Sequence, residues 1–173
     1  MSIWLFIISL LVLLMAGTAA TFWLLGPERI WAAFGPADLG PVTFETLERR
    51  KAPTDALACP SGLCPTDPDI RPPSFPVEAP VLRKAMLAAL KTERRLTRVD
   101  IDDRTPADRF VQRSETLRFP DTIVVRYLAL PEGGSTVAIY SRSQLGRADL
   151  GVNQARIERW LKKLSREVAK LKG

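Results

Sequence analysis

A chain of 173 residues, 46% of them hydrophobic and 25% charged, has room for one modest domain once a membrane segment is set aside, and none for a second enzyme domain. It contains no histidine, which excludes Ser-His-Asp and Cys-His nucleophile systems, HExxH metalloproteases and histidine-rich metal sites. A net charge of +6 suits anionic lipid head groups, anionic polymers or an acidic partner; with no recognition motif in the chain, nucleic acid is not expected.

The segment Ile3 to Leu25 (IWLFIISLLVLLMAGTAATFWLL) carries no charge. At about 1.5 Å per helical residue it reaches roughly 35 Å, enough for a hydrocarbon core of about 30 Å with modest tilt. Trp4 and Trp23 lie near its two ends and Trp31 just beyond, where amphipathic rings prefer the interface. The competing reading is a cleaved signal peptide, for which Gly17-Thr18-Ala19-Ala20 offers small residues. The lack of Lys or Arg ahead of the run, and its continuation through Phe22-Trp23-Leu24-Leu25, favour an uncleaved single-pass anchor. Sparse positive charge after the span, with only Arg29 close to it, permits an N-in arrangement that exports everything from Pro27 onward. The expected address is the inner (cytoplasmic) membrane, with the soluble domain in the periplasm.

Cys59 and Cys64, the only cysteines, flank Pro60-Ser61-Gly62-Leu63, whose Pro and Gly can fold back and bring the sulfurs together. In an oxidising compartment a disulfide is expected; the spacing is not that of thioredoxin-like motifs, and zinc would need ligands the chain scarcely has, so no metal or cofactor is expected. Ten of the 14 prolines fall between Gly26 and Pro76, and only Thr43 to Lys51 has a short helical pattern. Residues 27–76 therefore read as a proline-rich tether carrying the Cys pair, between an anchor at 1–26 and a folded domain at 77–173.

In the domain, Leu82, Ala85, Met86, Ala89 and Leu90 recur at helical spacing and place a helix at about Pro80 to Lys91. Four strands follow: Leu96 to Asp102, Arg109 to Phe119 with a turn at Phe119-Pro120-Asp121, Thr122 to Leu130, and Ser135 to Ser143 after a hairpin turn at Pro131 to Gly134. The acidic group Asp100, Asp102 and Asp103 reads as a solvated loop. A last helix at about Val152 to Lys172 aligns Ile157, Trp160, Leu161, Leu164, Val168 and Leu171 on one stripe, opposite Arg159, Lys162, Arg166 and Lys170. That basic face is either solvated or laid against anionic lipid. The fold class is α+β: a four-stranded antiparallel meander with an N-terminal and a long C-terminal helix on one face, similar in outline to helix-grip lipid carriers whose sheet curls around the last helix and leaves a cavity.

The link from the last strand to the last helix, Ser141 to Arg156, has the pattern S-R-S-x-x-G-x-x-D-x-G-x-N-x-x-R. It resembles the signature of the bacterial and plastid family catalogued as domain of unknown function 1499. Asp55-Ala56-Leu57-Ala58-Cys59-Pro60 resembles that family's opening motif and Arg118-Phe119-Pro120-Asp121 its central turn, so the similarity spans about Pro53 to Leu164. Thr54 stands where Asn is common and Gln144 where a basic residue is common. The family brings no established activity, so the resemblance supports architecture and leaves function open.

Two readings of this corner compete. Ser141, Arg142, Ser143, Arg147, Asn153 and Arg156 near a helix N-terminus form a candidate anion site for a phosphate or carboxylate head group. In the structural alternative, Gly146 and Gly151 turn the chain, Asp149 caps the helix while pairing with Arg142 or Arg156, and Asp121 belongs to the central turn. No residue is expected to be catalytic, and Ser141 and Ser143 have no Lys at a motif spacing. The function expected is a membrane-anchored, non-catalytic binding or scaffold domain whose partners are the bilayer and an envelope lipid or protein. The alternatives are an envelope hydrolase or transferase using Ser141, Arg142 and Asp149, or an accessory subunit of a membrane complex with an exposed apolar patch on its sheet.

The anchor reading predicts that the full-length chain stays with membranes through alkaline carbonate extraction. Recovery of a mature soluble form beginning near Ala20 or Thr21 would reverse it.

Overall fold

The computed structural model describes residues 3–100 and 106–171. Helix α1 (Ile3–Leu25) is apolar throughout and contributes no buried residue; it is long and apolar enough to cross a membrane, a property shared with signal sequences. Gly26, at φ 73°, breaks it, and Pro27 opens the short helix α2 (Pro27–Ala32), where its missing N–H is no loss.

The sheet has five antiparallel strands rather than four. They are β1 (Asp55–Ala58), β2 (Leu96–Asp100), β3 (Ala107–Arg113), β4 (Pro120–Ala129) and β5 (Ser135–Ser143), in spatial order β1-β5-β4-β3-β2. The meander β2 to β5 follows the four strand-like segments of the sequence, and β1 adds to its outer edge with Asp55 opposite Arg142 and Ala58 opposite Ile139. The second strand of the meander ends at Arg113, short of Phe119: the Ser114 N–H donates to the Phe119 carbonyl and the Phe119 N–H to Ser114 Oγ, closing a loop with Arg118 at φ 60°. The alternation through Glu115 and Leu117 thus mimics a strand without a partner to pair with. Residues Asp102 and Asp103 lie outside the described residues, whereas Asp100 accepts from Arg109 Nη1 at 3.0 Å.

Helices α3 (Ala79–Leu90) and α4 (Val152–Lys170) both cover one face, as their apolar stripes require. Leu82, Met86, Ile123, Val125, Ile139, Ile157, Trp160 and Leu164 form this core. Trp160 is 0% exposed and meets Phe110 edge-on at 5.8 Å. Its indole occupies the interval between helix and sheet that a helix-grip carrier leaves open. Leu171 falls beyond the last turn and is exposed, so the stripe ends at Val168.

The segment expected as a tether is instead part of the domain. From Ala37 to Leu47 it crosses the second face of the sheet, and Phe44 and Leu47 bury against Leu57, Val124, Ala138 and Tyr140. Only Phe44–Thr46 forms a helical turn there, of the 3-10 kind. Thr122 Oγ1 accepts from the Leu39 N–H and donates to the Ala37 carbonyl, Arg109 Nε donates to both oxygens of Asp38 at 2.9 Å, and Arg126 pairs with Glu45. Further on, Cys59 and Cys64 are joined in a disulfide with Cα atoms 6.4 Å apart, Asp69 and Ile70 bond the outer edge of β1 at Leu57, and Phe75 exchanges both backbone bonds with Ser135. Prolines in such a segment suppress further strand pairing without preventing burial. Both sheet faces are therefore covered, and the apolar sheet patch expected of a complex subunit is absent among the described residues.

Two ion clusters tie the helices to the sheet. The Asp108 carboxylate, fully buried, accepts from Arg83 of α3, Arg98 of β2 and the Tyr127 hydroxyl of β4. At the other end of α3, Glu93 accepts from Arg159 and Lys163 of α4 and from Gln112 Nε2. Burial pushes the Glu93 carboxyl up, but the hydrogen bonds from Arg159, Lys163 and Gln112 outweigh it and bring the group from 4.5 down to about 2. A depressed carboxyl stabilises the fold above its unfolded pKa and loses that contribution as protons bind. Part of the unfolding midpoint is therefore expected to be lost as pH falls from about 4.5 toward 2. Glu93→Gln should flatten this part of the profile in denaturant titrations across that range.

Candidate functional site

The corner between β5 and α4 is built around one guanidinium. Arg156, at the start of the second turn of α4 and facing the sheet, donates Nε to Gln112 Oε1 of β3 at 2.7 Å, Nη2 to Asp121 Oδ2 of β4 at 2.5 Å, and Nη1 to Ser141 Oγ at 2.8 Å and to Asn153 Oδ1. The pair with Asp121 is buried on both sides. Ser141 Oγ donates to Asn153 Oδ1 at 2.6 Å, and Asn153 Nδ2 donates to the Thr54 carbonyl, Ser143 Oγ and Asp149 Oδ2. Every group in this cluster has a protein partner, which is the condition under which buried polar groups stabilise rather than destabilise.

The turn into the helix follows from the two glycines and the aspartate. Gly146 and Gly151 have φ of 101° and 78°, left-handed values that favour glycine. Asp149 sits two residues before the N-cap; Oδ1 accepts from the Gly151 N–H and Oδ2 from the Asn153 N–H, both at 3.0 Å. It thereby satisfies one of the free N–H groups of the first turn. The expected ion pair from Asp149 to Arg142 or Arg156 is not made. Both of its oxygens are occupied by the turn, and Arg156 is held by Asp121 instead.

Of the residues expected at an anion site, Ser141, Ser143, Asn153 and Arg156 come together and are buried. Arg142 and Arg147 do not join them. On the opposite face of β5, Arg142 Nη2 donates to the Leu39 and Gly40 carbonyls at 2.8 and 2.9 Å, and the guanidinium lies 5.7 Å from the Tyr140 ring centre. Strand alternation separates Ser141 from Arg142 by placing successive side chains on opposite faces. Arg147 is exposed in the loop. On α4, Arg159 and Lys170 pair with Glu93 and Glu167, which leaves the basic face less free than its spacing suggests.

Gln112, Asp121 as an ion-pair partner, and the Thr54 carbonyl belong to the cluster without having been expected there. Gln112 and Arg156 are 44 residues apart, and no local spacing announces such a contact. Asp121 stood in a recognised motif, but its place in β4 rather than in a turn depended on where the preceding loop closed.

The family model described as "Protein of unknown function (DUF1499)" matches residues 41–164. The chain belongs to this family. The matched region begins in the strap over the second sheet face, includes β1 and the disulfide, and ends on α4, so it contains the whole Arg156 cluster of this DUF1499 domain. Comparison with curated proteins and with solved structures finds no match.

The geometry ranks the corner substitutions. Removing one partner of a buried ion pair leaves the other charge uncompensated, so Asp121→Ala and Arg156→Ala should each cost about 3–5 kcal/mol. Asp149→Ala, which removes the acceptor of two backbone N–H groups and of one side-chain amide, should cost about 1–2 kcal/mol. Arg147→Ala should stay within about 0.5 kcal/mol. Chemical denaturation of the purified full-length chain in detergent measures all four, and an unchanged midpoint for Asp149→Ala would refute its part in the turn.

Proposed function

We propose that the chain is a single-pass envelope protein, anchored in the inner membrane by α1, whose folded domain lies in the periplasm and acts as a non-catalytic binding or scaffold module for an anionic or lipid-like ligand or a protein partner. The anchor ends at Gly26 and the domain follows without a long free tether. An uncharged 23-residue helix supports the anchor, and the Cys59–Cys64 disulfide supports an oxidising compartment.

The observation that carries the non-catalytic reading is the state of Ser141. Its hydroxyl is fully buried, donates to Asn153 and accepts from Arg156. A nucleophile needs a base to take its proton and an open approach for the electrophile. Here the proton is directed to an amide oxygen, and the adjacent cation is engaged by Asp121. A hydrolase built on Ser141, Arg142 and Asp149 would also need those groups to converge, whereas Arg142 points to the strap and Asp149 to the helix start.

A serine-directed fluorophosphonate probe tests this reading on the full-length protein in native membranes. Labelling should not exceed that of Ser141→Ala; stoichiometric modification of Ser141 would overturn the non-catalytic assignment.

A further inference from the structure

The end of the sheet nearest the anchor gathers several chain segments. Trp31 of α2 donates its indole N–H to the Leu117 carbonyl and packs on Phe119 at 4.6 Å, and Glu28 Oε1 lies 3.6 Å from Arg113 Nε. Leu117 and Phe119 belong to the β3–β4 loop. The β5–α4 loop opens beside it, because the Gln144 N–H donates to the Pro120 carbonyl at 3.1 Å. The connection from α3 to β2 reaches the same end, where the Arg113 N–H donates to the Arg95 carbonyl at 3.1 Å. Leu25 and Trp31 are six residues apart, at most about 20 Å of chain. Whatever surface α1 enters, this end of the domain is held close to it.

The side chains presented there are unusual for a surface facing only water. Leu150 is 95% exposed, Phe34 66%, Val152 52% and Leu117 44%. Leu150 also holds φ at 53°, a left-handed conformation disfavoured for a branched side chain, with nothing in the domain covering it. Cations stand among these residues: Lys91, Arg94 and Arg147 are exposed and Arg118 is half-buried. The nearby carboxylates are already engaged, Glu115 by Arg94 and Arg95 and Asp149 by the start of α4. Apolar tips ringed by solvent-accessible cations match the chemistry of a bilayer boundary, where side chains enter the acyl edge and cations meet phosphates. Screening limits such attraction to about 8 Å at physiological salt, a range that the short link to α1 brings within reach.

We propose that this end of the domain docks on the anionic surface of the bilayer that α1 crosses, with Leu117 and Leu150 entering the head-group boundary and Arg94, Arg118 and Arg147 set against lipid phosphates. The inference rests on the anchoring proposed above and adds an orientation: the β4–β5 turn at Pro131 to Gly134, at the opposite end of the sheet, faces away from the membrane.

The full-length protein, reconstituted into vesicles of phosphatidylcholine alone or of phosphatidylcholine and phosphatidylglycerol in equal parts, can be compared with the protein in neutral detergent by amide hydrogen exchange. Residues 114–119 and 145–152 should exchange several-fold more slowly in the anionic vesicles than in detergent, with residues 131–134 unchanged. Leu150→Asp combined with Arg147→Glu should abolish the slowing while leaving the thermal midpoint in detergent as in the parent. Equal exchange of these loops in anionic vesicles and detergent, from protein that resists carbonate extraction, would overturn the docking alone. Release of the protein by carbonate would overturn the anchoring beneath it. Equal slowing in both kinds of vesicle would overturn the anionic element, and slowing that requires an added membrane extract would point to a protein occupant and overturn the proposal.

Discussion

The fold converges on Arg156. One guanidinium at the start of the second turn of α4 spans β3, β4 and β5 by bonding Gln112, Asp121 and Ser141, and through Asn153 it reaches the carbonyl of Thr54 ahead of β1. A planar fork with fixed donor directions can meet so many acceptors only if the helix sits at one height and one rotation over the sheet. Apolar packing under α4 is strong but non-directional, and a leucine stripe tolerates a shift that a buried ion pair does not. The hydrophobic face brings the helix to the sheet, and the arginine sets its register. Gln112 extends the constraint, since its amide N–H₂ donates to Glu93, which in turn holds Arg159 and Lys163. A continuous polar chain thus runs from solvent at the end of α3 to the buried corner.

The second face of the sheet is arranged on a different principle. Its apolar cover is thin, with Phe44 and Leu47 as its main buried side chains, and a proline-rich strap has little regular hydrogen bonding of its own. Side chains from the sheet supply what the strap lacks: Thr122, Arg109, Arg126 and Arg142 reach out to its carbonyls and carboxylates. Burial pulls the Arg142 guanidinium pKa down from its usual value, a cost borne in holding the chain that runs between α1 and β1. The strap fixes where α2 meets the domain, and this is why the domain end near α1 has a defined composition rather than an average one.

These two arrangements bear on function in the same direction. The polar residues with the most distinctive sequence pattern are consumed in the interior, where they define architecture. Chemistry available to the outside lies elsewhere, on loops whose exposed side chains are mainly cationic or apolar. A family pattern concentrated at a buried corner thus reports how the domain is built more directly than what it contacts.

Local order and periodicity determined a good deal. An uncharged run at the N-terminus, the two amphipathic helices, the alternation of β2, and the β-branched and aromatic run of β4 with the hairpin turn that leads into β5 are short-range patterns, and each followed from local side-chain order. The Cys pair was legible for the same reason, since the four residues between the cysteines, Pro and Gly among them, can close a loop. Tertiary structure decided three things that spacing does not encode. Prolines in residues 27–76 signalled a tether, but proline only removes donors, and burial of Phe44, Leu47 and Phe75 against the sheet made the segment part of the core. Glu115 and Leu117 alternate as in a strand, yet Ser114 closes a loop before they can pair. Asp149 and Arg156 looked like partners across one turn, but strand β4 delivered Asp121 to the guanidinium first, from 35 residues away. Contacts at that separation depend on register and on which carboxylate arrives buried, and both are properties of the packed sheet rather than of any window of sequence.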